Sequence, residues 1–147
     1  MILCTDGTRH FAAAVTAYRE ARDESELAQV AVIWTLRNRA EKGSWWGHSI
    51  DQCAFKKWQY SSLTDPHDHQ LTTWGLAGEP AWETAWRLAG EVLAGEHAHP
   101  MPGADSYFDS SIAPPKWVPS ARYCGQIGRL KFFDVDHDYE APITGHA

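Results

Sequence analysis

Glu24 is placed where a single carboxyl group could do acid–base work. It lies at the junction of two expected helices, immediately before a segment that reads as buried. Apolar walls favour the neutral form of a carboxyl group, which then has a proton to give near neutral pH. The plainer reading is a favourable negative charge near a helix N-terminus. Two histidine-bearing stretches, His67-Asp68-His69 and Asp134-Val135-Asp136-His137-Asp138, raise the question of a metal. A catalytic zinc needs about three protein ligands and an open position, and no H-E-x-x-H spacing occurs. Both stretches read equally as solvated loops. The three cysteines are Cys4, Cys53 and Cys124. An odd number cannot pair completely within one chain, no C-x-x-C is present, and reduced thiols are expected. Cys53 or Cys124 could serve a Cys/His peptidase as nucleophile, but neither has a recognisable nucleophile context.

Eight tryptophans stand out, at positions 34, 45, 46, 58, 74, 82, 86 and 117. Trp34, Trp82 and Trp86 fall in helical patterns and suit core packing. Trp45, Trp46, Trp58, Trp74 and Trp117 sit among Gly, Pro, Lys and polar residues, where loops are expected. Aromatic faces with a polar edge suit flat amphipathic ligands, sugars among them. They equally anchor loops.

These residues need a scaffold, and 147 residues suffice for one domain. A chain of this length buries roughly 70% of the surface its unfolded form exposes. With 44% hydrophobic and 22% charged residues, a mostly disordered chain is excluded. No apolar run approaches the ~18 residues of a membrane helix. A net charge of −6 argues against a broad grip on nucleic acid. The N-terminus does not read as an export signal, since Met1-Ile2-Leu3-Cys4 stops at Thr5-Asp6-Gly7 and Phe11–Val15 is too short. On this reading the protein stays where it is made until something else carries it out.

The spacing of Phe11, Ala14, Val15 and Tyr18 predicts a helix over 8–22. Ser25 is an N-cap candidate for a second helix opening at Glu26-Leu27. Leu27, Val30, Ala31 and Trp34 give its stripe, Val32 and Ile33 widen it, and Gly43 is a stop. This helix should be central. Residues 43–80 show no clear period, apart from a short helix over 49–55. A loop this long tends to be functional. Pro80 starts a third helix with Trp82, Ala85, Trp86, Ala89 and Leu93 on one face and Gly95 at its end. Residues 105–108 read as a strand. Three prolines keep 112–119 irregular, and 125–134 reads as a strand or hairpin. The tail from His137 is polar. Helices first and short strands later predict an α+β domain.

The run Glu20-Ala21-Arg22-Asp23-Glu24-Ser25-Glu26-Leu27-Ala28-Gln29-Val30-Ala31-Val32, then Leu36-Arg37-Asn38-Arg39, resembles one family's opening motif. There an E-A-R-G-E run is followed by a short turn, G-Q-x-A-V-A and L-N-R. The family is the cell wall hydrolases of the spore-cortex-lytic type. Trp58-Gln59-Tyr60-Ser61 resembles its Q-F-S segment, and Ala89–Gly95 its A-x-x-V-L-x-G helix end. Pro102-Gly103-Ala104-Asp105-Ser106-Tyr107-Phe108 resembles its G-A-x-x-Y-x strand, and Lys116-Trp117 its P-x-W element. Ile127-Gly128 with Phe132-Phe133 resembles its closing I-G-x-H-x-F-Y. The likeness runs over 19–133. Asp23 and Ala28 replace glycines, and Leu130 replaces the closing His, so no role is carried to that position.

The resemblance implies a lysozyme-superfamily-like fold, a helical core with a small β lobe. It implies cleavage of peptidoglycan between N-acetylmuramic acid (MurNAc) and N-acetylglucosamine (GlcNAc). Glu24 matches the family's catalytic acid and would protonate the leaving glycosidic oxygen. In a lytic transglycosylase the muramic C6 hydroxyl then attacks C1 and returns its proton to the same Glu. One carboxyl group suffices, unlike the usual two-carboxylate glycosidase. A hydrolytic muramidase would need a second carboxylate or a held water. Glu26 and Asp65 are the candidates, against a first-turn charge and a turn cap ahead of Pro66. Gln59, Tyr60, Ser61 and Tyr107 are expected to line the groove and bond acetamido and hydroxyl groups, or else to pack locally. Asn38 and Arg39 should support the site by binding neighbouring loops. No cofactor or metal is expected for this chemistry. The alternatives are a zinc amidase and a peptidoglycan-binding module without activity. Partners would be glycan strands, with no nucleic acid and no membrane span. A wall-degrading domain without a signal fits a bacteriophage lysin or a component of the phage particle, made in the cytoplasm and acting in the wall or periplasm.

Overall fold

The computed structural model describes residues 2–56 and 60–136. Helices come first and a small sheet follows, the α+β order expected. α1 spans Ile2–Ala21, α2 Glu26–Lys42, α3 Ile50–Phe55, α4 Ser61–Thr64 and α5 Pro80–Leu93. The strands are β1 (Ser106–Asp109), β2 (Arg122–Ile127) and β3 (Leu130–Asp134). Short 3₁₀ turns occupy Ser44–Trp46, His69–Thr72 and Val118–Ser120.

α2 is the axle of the molecule. Ser25 caps it, its hydroxyl accepting the Ala28 N–H at 3.2 Å. Gly43 ends it at φ +65°, where a side chain would be strained, and returns its N–H to the Arg39 carbonyl at 2.9 Å. Residues 28–33, 35, 36 and 39 of α2 are buried, so more than one side of the helix faces the interior. One side of α2, through Ile33 and Leu36, joins a cluster with Val15, Tyr18, Ile50, Leu88 and Val92. Ala28, Ala31 and Val32 instead join Ala104, Leu130 and Phe132 of the sheet lobe. Both lobes therefore rest on one helix.

Two helices differ from the sequence expectation. α1 starts at Ile2, not Thr8. Gly7 in a helix interior costs only about 1 kcal/mol, and no proline blocks the extra turns. α5 is rotated: Ala85, Leu88, Ala89 and Val92 are buried, whereas Trp86 is 39% exposed. Small residues at 85 and 89 let α5 approach the alanine-rich face of α1, where an indole would not fit. Trp86 instead stacks on His10 at 3.7 Å. Trp46, expected in a loop, is buried.

The sheet order is β1-β3-β2, with both pairs antiparallel. β2 and β3 form a hairpin closed by Gly128-Arg129, as the 125–134 pattern suggested. The lobes are bolted by a buried ion network. Lys42 Nζ lies 2.8 Å from both Asp105 Oδ2 and Asp134 Oδ1. Arg122 holds the other Asp134 oxygen at 2.7 Å. Asp105 also accepts the Val135 and Asp136 N–H groups at 2.8 and 3.0 Å.

Candidate active site

Glu24 sits between α1 and α2, where the helical lobe meets the sheet. Its backbone is tied by the Glu24 N–H to Ala21 O bond, 2.9 Å. Its side chain is only 9% exposed, but apolar walls are not what covers it. The β2–β3 turn does. Arg129 donates from Nε at 3.1 Å and from a terminal nitrogen at 2.9 Å, both to Glu24 Oε2. The Arg129 N–H lies 3.5 Å from Oε1. Gly128 has φ +55°, and a Cβ there would stand 2.8 Å from Glu24 Oε1. Glycine at 128 thus serves both the turn and the close approach. The expectation of an apolar pocket is corrected: Glu24 is paired with an arginine.

β1 forms the facing wall. Tyr107 and Asp109, two residues apart, share one face of the strand. The Tyr107 hydroxyl donates to Glu20 Oε1 at 2.5 Å, linking β1 to the end of α1. Burial pushes the Tyr107 hydroxyl well above its ordinary pKa, and the Glu20 charge adds to that. Asp109 Oδ2 lies 3.9 Å from Arg129 Nε. Its Oδ1 accepts the Ser111 N–H at 2.9 Å and the Ser111 hydroxyl at 2.7 Å. Those two bonds hold the Asp109 carboxyl below the usual carboxylate range. Tyr107 also lines a pocket of about 220 Å³, together with Arg39, Trp45, Trp46, Ser106, Trp117 and Val135. Trp45 stacks on Trp46 at 3.8 Å with half its surface exposed. Trp117 packs edge-on against Phe133 at 5.4 Å. These are three of the tryptophans that the sequence places in loops.

The other expected residues divide. Tyr60 is 2% exposed and belongs to the core, not to a groove. Its hydroxyl pairs with Thr35 Oγ1 at 3.0 Å, and the Arg39 guanidinium lies 4.4 Å over its ring. Burial pushes its hydroxyl up to about 12. Ser61 opens α4, and its side chain lies outside what the structure describes. Gln59 and Trp58 lie outside the described residues. Asn38 and Arg39 do tie the loop ahead of β1: Asn38 Nδ2 donates to Ala104 O at 2.8 Å, and Arg39 Nε to Asp105 O at 2.6 Å.

Neither expected second carboxylate faces Glu24. Glu26 pairs with Arg87 of α5 at 2.8 Å on the exposed side. Asp65 accepts the His67 N–H at 2.9 Å, as a turn cap does. Asp109 is the carboxylate that the sequence reading missed. Only the strand register brings it opposite the α1–α2 turn, and no local motif marks it. Among the described residues no group of three or more His, Cys, Asp or Glu is placed to hold a metal. His137 and Asp138 lie outside those residues. Cys53 and Cys124 are free thiols, and burial pushes the Cys53 thiol up to about 11, away from a nucleophilic thiolate.

The profile of the family described as Cell Wall Hydrolase matches residues 23–133, a span that begins beside Glu24 and ends in β3. No curated protein matches the chain. Among solved structures, the crystal structure of the catalytic domain of the Bacillus cereus SleB protein is similar, with a TM-score of 0.68. The two are 23% identical, over 86% of this chain and 90% of that one. That likeness establishes a shared fold.

Proposed function

The chain belongs to the cell wall hydrolase family, a peptidoglycan-degrading enzyme, and on that footing we propose that it cuts the glycan strand, with Glu24 as the acid. The observation that carries this reading is the position of Glu24. It is a carboxyl group largely shielded from water, at the junction of the lobes, and β1 runs from beside it to an aromatic pocket that Tyr107 lines. An aromatic pocket beside the acid suits a chain of pyranose rings, whose apolar faces stack on aromatic side chains while their edges remain polar.

The reaction follows from one group. Glu24 gives its proton to the oxygen that joins MurNAc C1 to GlcNAc, and that C–O bond breaks. The muramic C6 hydroxyl attacks C1, and its proton returns to Glu24. The products are a 1,6-anhydro end and a free GlcNAc hydroxyl, with no water consumed. General acid–base help of this kind is worth roughly 10²–10⁴ in rate. Binding along the cleft, with Tyr107 at its middle, supplies positioning. The place of action is the wall itself, in the manner of a bacteriophage lysin.

The test uses purified sacculi. Wild type should clear a sacculus suspension, and Glu24→Gln should cosediment with sacculi without clearing them. A Glu24→Gln protein that still clears sacculi defeats the assignment. If instead the protein only binds and wild type also fails to clear, the binding-module alternative holds.

A further inference from the structure

Arg129 Nε lies within 4 Å of carboxylate oxygens from both the α1–α2 turn and β1, 3.1 Å from Glu24 Oε2 and 3.9 Å from Asp109 Oδ2. The two carboxylates thus hold one cation between them. That arrangement has a meaning for bond cleavage at a sugar. When the leaving oxygen departs with its electron pair, positive charge develops at C1 and the ring oxygen. A fixed negative group facing that point lowers the barrier, and does so most where it needs no reorganisation.

We propose that Asp109 is the second carboxylate of this cleft, facing the cationic sugar ring, and that Arg129 is the counterion it exchanges for substrate. The proposal rests on Glu24 being the acid. Asp109 suits the role because its Oδ1 is fixed by both Ser111 donors while Oδ2 is turned to Arg129, on the side of Glu24. The same bonds keep it ionised. It takes no proton and forms no bond; its charge alone opposes the charge at C1. Arg129 suits displacement because it sits on a hairpin turn with its side chain 58% exposed. Both of its side-chain donors to Glu24 end on Oε2. A leaving oxygen reaches that atom only after the guanidinium has moved aside. The free protein therefore keeps both carboxylates paired with Arg129; when a glycan moves the guanidinium aside, Glu24 takes up from water the proton that it then gives to the leaving oxygen.

Three variants test this on purified sacculi: Asp109→Asn, Arg129→Gln and Glu24→Gln. Asparagine at 109 keeps the acceptor for Ser111 and removes only the charge. Asp109→Asn should cosediment with sacculi like wild type, keep its circular-dichroism melting curve, and lose about a hundredfold in rate at saturating sacculi. Arg129→Gln should digest faster at low sacculus concentration, through a lower apparent KM. Full-rate digestion by Asp109→Asn, with Glu24→Gln inactive, would overturn the role of Asp109 and leave the acid standing. An inactive, folded Arg129→Gln would overturn the exchange, because Arg129 would then act in the transition state. Full activity of Glu24→Gln would remove the reading on which the proposal rests.

Discussion

Replacing Tyr107 by Phe removes one hydroxyl and takes from Glu20 a hydrogen bond in a half-buried place. A hydrogen bond to a charged group contributes about 1.5–3 kcal/mol. Tyr107→Phe should therefore lower the stability in urea by about that amount, with the slope of the transition unchanged. A loss below about 0.5 kcal/mol would show that water replaces the hydroxyl. The residues in this region were unevenly legible. Glu24 was marked by its place at a helix junction and by the E-A-R-x-E pattern. Its cover was not, because Gly128 and Arg129 lie far along the chain and only the hairpin brings them over it. Tyr60 shows the opposite error. A tyrosine in a polar stretch reads as a groove residue, yet the stretch folds back and buries it against Thr35 and Arg39.

At the scale of elements, α2 is tied to the sheet by Lys42. Burial alone would lower the Lys42 pKa, but the bonds to Asp105 and Asp134 outweigh it and raise it. Removing one partner of a buried ion cluster leaves charge uncompensated and costs about 3–5 kcal/mol. Lys42→Met should lose that much, whereas an exposed lysine would lose almost nothing. His99, in the loop after α5, sets a pH dependence. It stacks on Trp34 at 4.9 Å and accepts the Met101 N–H at 3.0 Å. Burial lowers its pKa to about 4, the Ala104 backbone bond pushing the other way and Arg37 adding to the fall. An unfolded histidine titrates near 6.5, so between these values the unfolded chain binds the extra proton. The stability that His99 contributes is whole above about pH 6.5 and is lost as the pH falls towards 4. The melting temperature should drop across that window, and His99→Gln should flatten the drop. An unchanged slope in the variant would place the titration elsewhere. The element boundaries themselves were largely written in local chemistry: Ser25, Gly43, Ser49 and Pro80 each stand where a helix begins or ends. The rotation of α5 was not, since periodicity alone cannot rank a tryptophan against an alanine when two helices pack closely.

At the scale of the whole molecule, the two lobes share α2, and β1 carries Tyr107 of the tryptophan pocket and Asp109 beside Arg129. No helix among the described residues is long and apolar enough to cross a membrane. The α+β order followed from where helical and strand patterns fall in the chain. The joining of lobes did not, because the partners of Asp105, Tyr107 and Glu24 lie tens of residues away and obey no local period. As proposed above, one acid at this junction, Glu24, cuts a glycosidic bond. The direct measurement is mass spectrometry of the fragments released from purified sacculi by wild type and by Glu24→Gln. Wild type should release muropeptides ending in 1,6-anhydro-MurNAc, and the variant none. Fragments cut at peptide or amide bonds, released equally by the variant and abolished by a chelator, would contradict it.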